Sequence, residues 1–399
     1  MITFALALFL SPELFRQHCA SCHGQDAQGT AKGPGLAANP HIGAQSSEQL
    51  SSFLQHGNPG AGMPAFGDLS RADLLSLATY LKSLTPSAHP AASAAKIAWH
   101  SPQPGDWLTY NGDLSANRYS ALQQVNTSNV SALKLKWLYP TPYFGLETTP
   151  LASDGVLYFT APNQVIAVDA LTGAELWKYS RPQTPGLDGD AKLGTNRGVA
   201  ILNQNVFFVT DNAHLLSIDR ANGELLWDIL IPDESRKYGG TLAPLIVENK
   251  VIVGVAGADH GIRGFVAAFR VSDGSLVWRH WTVPTEPDVL GGSTWLTGSY
   301  DPQTGTLYWP TGNPYPDSDD RNRPGDNLYT DCILALDVKT GELKWHYQFT
   351  PHDLLDRDAA EPPVLIDTVY KGKPRKLLLH ADRNGFFYVL DRTNGELLP

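Results

Sequence analysis

Four stretches of this 399-residue chain end alike: AVDALTGAELW, SIDRANGELLW, AFRVSDGSLVW and ALDVKTGELKW close on Trp177, Trp227, Trp278 and Trp345, with a glycine four residues before each tryptophan. The intervals are 50, 51 and 67 residues. A repeat of that length is one supersecondary unit, and such units cannot bury their faces alone. The unit reads as a strand, a tight turn that needs glycine for positive φ, a second strand, and a tryptophan that packs on the neighbouring unit. Short β-type runs such as Val156–Phe159 and Val206–Val209, separated by Gly, Asn and Asp turns, complete the pattern. Four-stranded blades set radially around a channel bury such faces, so the pattern predicts an all-β propeller. Trp137 in SALKLKW is an atypical earlier copy, and VLDRTNGELL is a further one that reaches Pro399 where a tryptophan would stand. The chain is therefore expected to hold about five to six blades and to be incomplete at its C-terminus.

The first part of the chain has a different texture. Residues 13–86 read as a small all-α domain: Ser70-Arg71-Ala72-Asp73 resembles a capping box, and Leu74, Leu77, Ala78, Leu81 and Leu84 recur at helical spacing. Residues 87–104 are rich in Ala, Ser and Pro and read as a linker to the β region, 105–399. Residues 1–12 read as the remnant of a signal peptide, since the apolar run Ile2–Leu10 is too short to span a bilayer and lacks a preceding Lys or Arg.

Within the helical part stands Cys19-Ala20-Ser21-Cys22-His23. Two thiols three apart can add to the vinyl groups of a haem, and the adjacent imidazole is then placed to ligate the iron. Redox dithiol and half zinc site are the alternatives, but no second CxxC or HxxxH follows and Cys332 is the only other cysteine. Met63, the only methionine besides the initiator, is the candidate second axial ligand, with His18, His41 and His56 as alternatives. One covalent haem c is thus expected, and because its attachment in bacteria takes place outside the cytoplasm, so is a periplasmic location. All of the net charge of −10 falls after residue 100, which argues against a nucleic-acid partner.

Three long strings in the β region, DWLTYNGDLSANRYSALQQVNTSNVSALKLKW, GDNLYTDCILALDVKTGELKWHYQFTPHDLLDRD and GKPRKLLLHADRNGFFYVLDR, resemble the pyrroloquinoline quinone (PQQ)-dependent alcohol dehydrogenases, the methanol and ethanol dehydrogenase-like quinoproteins. Members fused to a cytochrome c are quinohaemoproteins. The resemblance implies an eight-bladed propeller with PQQ in its central funnel, stacked on a tryptophan and coordinated to Ca²⁺ or a lanthanide. It implies PQQ contacts at Glu147, Arg197, Thr241, Trp295 and Arg383, and cation ligands at Asp259, Asn313 and Asp356. Asp358 adds the carboxylate that this family associates with lanthanide use, although sugar-oxidising relatives also carry an acid there. Relatives usually have glutamate where Asp259 stands and in some cases serine at Ala256, and the vicinal Cys-Cys pair of several relatives is replaced by DGDAKLGTNRG. Cys332 reads as a buried strand residue.

The expected activity is oxidation of a primary alcohol to an aldehyde. Asp356 would be the general base and Cys19, Cys22, His23 and Met63 would hold the haem that drains the quinone toward an external acceptor such as a cytochrome or copper protein. Two other readings stand beside it: a sugar or polyol dehydrogenase, and a cytochrome-bearing propeller without bound PQQ that is not an enzyme. No membrane span is expected.

Overall fold

The computed structural model describes residues 12–25, 27, 33, 36, 42, 45–59, 63–84, 105–143, 145–233, 237–285 and 289–399. The leader up to residue 11 and the linker 87–104 lie outside these residues. The chain divides into two compact units, Met1–Ser93 and Ala94–Pro399.

The first unit is helical. α1 (Ala20–His23) continues from helical residues 12–18, α2 spans Ser47–His56 and α3 spans Arg71–Ser83. The complete capping box belongs to α2: Ser46 Oγ accepts from Gln49 N, and Gln49 Oε1 accepts from Ser46 N at 2.8 Å. At α3 only half of the expected box forms. Ser70 Oγ accepts from Asp73 N at 3.2 Å but donates to Asp73 Oδ2 at 2.6 Å, because the aspartate is too short to reach back to the Ser70 amide. Leu50 and Leu54 of α2 and Leu74, Leu77, Ala78 and Leu81 of α3 form one core with Phe15, Cys19 and Ala20. Leu84, periodic in sequence, caps α3 and is only half-buried.

Among the described residues the second unit contains five four-stranded antiparallel sheets. The first is β1–β4 (Leu151–Ser153, Val156–Ala161, Gln164–Asp169, Glu175–Ser180), and the second is β5–β8 (Ala200–Leu202, Asn205–Val209, His214–Asp219, Leu225–Leu230). The third is β9–β12 (Leu245–Val247, Lys250–Val253, Phe265–Arg270, Leu276–Trp281). A two-stranded pair, β13 (Leu290–Gly291) with β16 (Pro314–Tyr315), accompanies the fourth sheet, β14, β15, β17 and β18 (Ser299–Asp301, Thr306–Pro310, Cys332–Asp337, Leu343–Gln348). The fifth is β19–β22 (Val364–Tyr370, Lys373–Ala381, Phe387–Asp391, Glu396–Leu397). The middle strands are the most buried, and the fourth strands alternate toward solvent. First strands converge on a common centre, because the short segment from Trp107 to Ser115 reaches three of them. Trp107 exchanges backbone bonds with Ala152 of β1, Leu114 O accepts from Tyr300 N of β14, and Ser115 O accepts from Leu365 N of β19. This is the propeller arrangement, each sheet a blade.

The repeat tryptophans join the blades. In every blade the turn between third and fourth strands carries the repeat glycine at positive φ, 69–79° at Gly173, Gly223, Gly274, Gly341 and Gly395. The indole of the preceding copy lies flat against that glycine: a Cβ would stand 2.5 Å from the Trp137 ring at Gly173, 2.7 Å from Trp177 at Gly223 and 2.6 Å from Trp278 at Gly341. Glycine is required twice over, for its backbone angle and for the missing Cβ. Four indoles also donate to the carbonyl three residues before that glycine, Trp137 to Ala170, Trp177 to Arg220, Trp278 to Val338 and Trp345 to Arg392, at 2.8–3.2 Å. Trp227 Nε1 has no partner among the described residues. Its receiving turn is also the one in which Arg270 replaces the aspartate (Asp169, Asp219, Asp337, Asp391) that caps the others through its Oδ1.

Candidate active site

In an up-and-down blade, the connection from second to third strand and the connection into the next blade emerge at the same end. Every expected PQQ or cation residue falls on one of these connections. Glu147, Arg197, Thr241, Trp295, Asp356 and Asp358 precede first strands, while Asp259 and Asn313 follow second strands β10 and β15 and Arg383 follows β20. The glycine turns lie at the opposite end.

Contact by contact, these nine side chains form a single constellation. Glu147 Oε2 pairs with Arg197 at 2.6 Å, and the Arg197 guanidinium, almost wholly buried, lies 4.7 Å from the Trp295 ring centre. Arg197 also donates to Thr241 O at 3.2 Å, and Thr241 Oγ1 donates to Trp295 O at 3.3 Å. The Trp295 side chain faces Asp358 and helps hold its carboxyl down. Asp358 Oδ1 then accepts from Asn313 N at 3.0 Å and Oδ2 from Arg383 at 3.0 Å. Arg383 also faces Asp356 at 3.9 Å, and Asn313 Nδ2 donates to Asp259 Oδ1 at 3.1 Å. Asp259, shorter by a methylene than the glutamate common in relatives, still reaches Asn313. It does so from a 3-10 turn, Ala258–His260, flanked by Gly257 and Gly261 in the left-handed region.

The electrostatics favour a cation. Asp358 is buried, and burial above all pushes its carboxyl up to about 6; the backbone bond from Asn313 opposes this and the charge of Asp356 adds to it. Burial and then the charge of Asp259 also raise Asp356, with Arg383 pulling the other way. Three carboxylates and an amide oxygen are the donor set of a hard ion, and turning the Asn313 amide would set its Oδ1 beside Asp259. Gly312 is part of the cradle, since a Cβ there would collide with Asp358 Oδ1. For PQQ, two guanidiniums and a hydroxyl gathered around a half-exposed indole fit a planar, acidic ring system.

Sequence reasoning passed over the scaffold beneath Asp356. Arg323, 1% exposed, donates to Pro316 O, Asp317 O, Asn327 Oδ1 and Asp353 O at 2.6–2.9 Å. Asp353 in turn accepts from Leu355 N and Arg357 N at 3.1 and 2.8 Å, folding the turn in which Asp356 (φ 53°) and Asp358 (φ 34°) sit in the left-handed region. One signal was available: the 67-residue interval before Trp345 exceeds the others because the loop between β15 and β17 holds both Asn313 and Arg323.

In the helical unit Cys19 is buried, and burial followed by the charge of Cys22 pushes its thiol to about 11. Cys22 and His23 follow on α1, partly exposed. A Cβ on Gly33 would stand 2.9 Å from Cys22 O and 3.0 Å from His23 Cε1, so only glycine fits against the imidazole. Met63 packs on the helical core and pairs its backbone with Asn58 at 3.0 Å. Two thiols, an imidazole and a thioether around one apolar core fit a covalently held His/Met iron. Of the alternatives, His18 meets the Phe66 ring edge-on, His56 Nδ1 bonds Ser52 O at 2.8 Å, and His41 lies outside the described residues.

Residues 107–399 match the family described as glucose/ethanol/alcohol dehydrogenase, β-propeller domain, of the PQQ type. The chain belongs to this PQQ dehydrogenase propeller family. Residues 12–81 match the cytochrome c oxidase, cbb3-type, subunit III family. Among relatives, quinohemoprotein alcohol dehydrogenase ADH IIB of Pseudomonas putida is 38% identical over 354 residues, covering 82% of this chain and 51% of its own length. The lanthanide-dependent methanol dehydrogenase of Methylacidiphilum fumariolicum is 34% identical over 74% of this chain and 54% of its own. The crystal structure of quinohemoprotein alcohol dehydrogenase from Comamonas testosteroni superposes with a TM-score of 0.69 at 34% identity, covering 77% of this chain and 52% of that one. The chain thus spans about half the length of the relatives it matches. No helix among the described residues is long and apolar enough to cross a membrane.

Proposed function

We propose that this propeller oxidises a primary alcohol to an aldehyde with PQQ and a cation, and that its electrons leave through a haem c on the same chain, in the periplasm. The observation that carries the reading is the continuous constellation from Glu147 through Trp295 to Asp259. Glu147, Arg197, Thr241, Trp295 and Arg383 would bind PQQ, and Asp259, Asn313, Asp356 and Asp358 would hold Ca²⁺ or a lanthanide. When bound, PQQ supplies a two-electron acceptor whose reactive carbonyl the cation polarises.

The protein's own part is to place and deprotonate the alcohol. Asp356 is the one carboxylate of the pair Asp356 and Asp358 that is only half-buried, and its turn, pinned by Asp353 and Arg323, fixes its direction. It takes the hydroxyl proton as general base. Arg383, held by Asp358, keeps a positive charge at the same rim. Cys19 and Cys22 would anchor the haem, with His23 and Met63 as axial ligands, and an external cytochrome or copper protein would collect its electrons. A covalently linked acceptor is present at high effective concentration whatever the dilution.

A substrate panel of ethanol and glucose, run on chain matured with haem and supplied with PQQ and Ca²⁺ or La³⁺, tests this reading. Ethanol should be the better substrate, and Asp356→Asn should lower kcat at least about 100-fold while the oxidised haem spectrum is unchanged. Unaltered turnover in Asp356→Asn removes its role, and preference for glucose assigns the site to sugars instead.

A further inference from the structure

Beside the constellation lies a second group of ligating side chains. Glu361, His380 and Asp382 each offer one ligand atom, and these atoms all lie within 4.8 Å of one another. Glu361 follows the Asp356–Asp358 turn, while His380 and Asp382 stand where β20 ends and the Arg383 turn begins. The two groups share a turn but diverge from it: Arg383 bonds Asp358, whereas Asp382 Oδ2 lies 3.1 Å from His380 Nε2.

His380 and Asp382 are buried and Glu361 is half-buried; Asp382 Oδ1 accepts from Asn384 N at 2.8 Å. His380 is 1% exposed and stacked on Phe349, centroids 4.2 Å apart and planes 20° from parallel. Glu361 Oε2 is a fully buried atom with no hydrogen-bond partner among the described residues; His380 Nδ1 is another, on the ring edge away from Asp382. For Asp331, 0% exposed with both carboxylate oxygens equally unpartnered, burial above all pushes the carboxyl well above the usual range, and it lies near enough to feel the charge of Asp382. The neighbouring guanidinium of Arg383 already pairs with Asp358. A buried ligating oxygen without a partner calls for an explanation.

We propose that Glu361, His380 and Asp382 form a second cation site, for a first-row divalent ion such as Zn²⁺. An imidazole beside two carboxylates suits such an ion, whereas Ca²⁺ and lanthanides prefer oxygen alone. The 3.1 Å between Nε2 and Oδ2 is near the edge of a tetrahedron with bonds of about 2.0–2.1 Å. Bound there, the ion ties the turn bearing Arg383 to the segment that follows Asp358. The site needs neither PQQ nor haem reduction and stands independently of the proposed activity.

The test is to saturate the haem-matured protein with Ca²⁺, dialyse it against Zn²⁺ and then against buffer, count zinc by mass spectrometry and record Zn K-edge absorption. One zinc per chain with imidazole scattering is expected. Glu361→Gln, nearly isosteric, and His380→Asn should each weaken zinc binding by about 10-fold or more, and Asp259→Asn should leave it unchanged. Circular dichroism establishes that each variant is folded, and Glu361→Gln decides if His380→Asn is not. No retained zinc, full retention by Glu361→Gln, or loss in Asp259→Asn would each overturn the proposal.

Discussion

Glu361 is half-buried, with its Oε2 fully enclosed. Burial chiefly, with Asp382 and Asp358 adding, pushes it from 4.5 up to about 7, so between those values the folded protein holds a proton that the unfolded chain has released. Its contribution to stability is therefore fully present below pH 4.5 and is lost as pH rises through about 7. In chelator, the Tm of the wild type should fall across this window more steeply than that of Glu361→Gln; parallel curves would contradict the assignment. Saturating Zn²⁺ should reverse the trend, because metal binding favours the ionised carboxyl. At this scale the sequence singled out Asp356, Asp358 and Arg383 from long matching strings, and Arg197 and Trp295 from the short ones NRG and GGSTW. It was silent on Arg323 and His380, because their importance lies in burial and in partners far along the chain.

At the scale of elements, the glycine turn and the tryptophan of the preceding copy form one joint. Gly341→Ala places a methyl group 2.6 Å from Trp278 at φ 75° and should destabilise the propeller by about 1–3 kcal/mol or more, read as a lowered denaturation midpoint. Gly305→Ala, at φ 63° with nothing within 4 Å, carries only the backbone penalty and should lose less. Equal losses would show that the indole contact contributes nothing. A second joint is Arg220, 1% exposed, which bridges from the second blade to Asp154 at 2.6 Å and Tyr158 OH at 3.0 Å in the first. Arg220→Met breaks this buried pair and should lower stability by about 3–5 kcal/mol in urea titrations. The repeat made the tryptophan legible as a packing residue. That it rests on the glycine of the next copy was not, since contacts 43 or 60 residues apart leave no mark on local periodicity.

For the whole molecule, the leucine spacing of Leu74–Leu84 and the tryptophan repeats pointed to the helical and β architectures by separate signals, and the chain divides into the compact units Met1–Ser93 and Ala94–Pro399. The strand topology then collects at one end residues that the sequence scatters between Glu147 and Arg383. In the proposed function this end feeds electrons to a haem on the same chain. This transfer is tested most directly by anaerobic stopped-flow mixing of ethanol with haem-matured protein while the reduced-haem band is followed. The band should grow only when PQQ and Ca²⁺ or La³⁺ are both present, and should disappear in Asp356→Asn. A haem that stays oxidised with all components present, or that is reduced without PQQ, would contradict it.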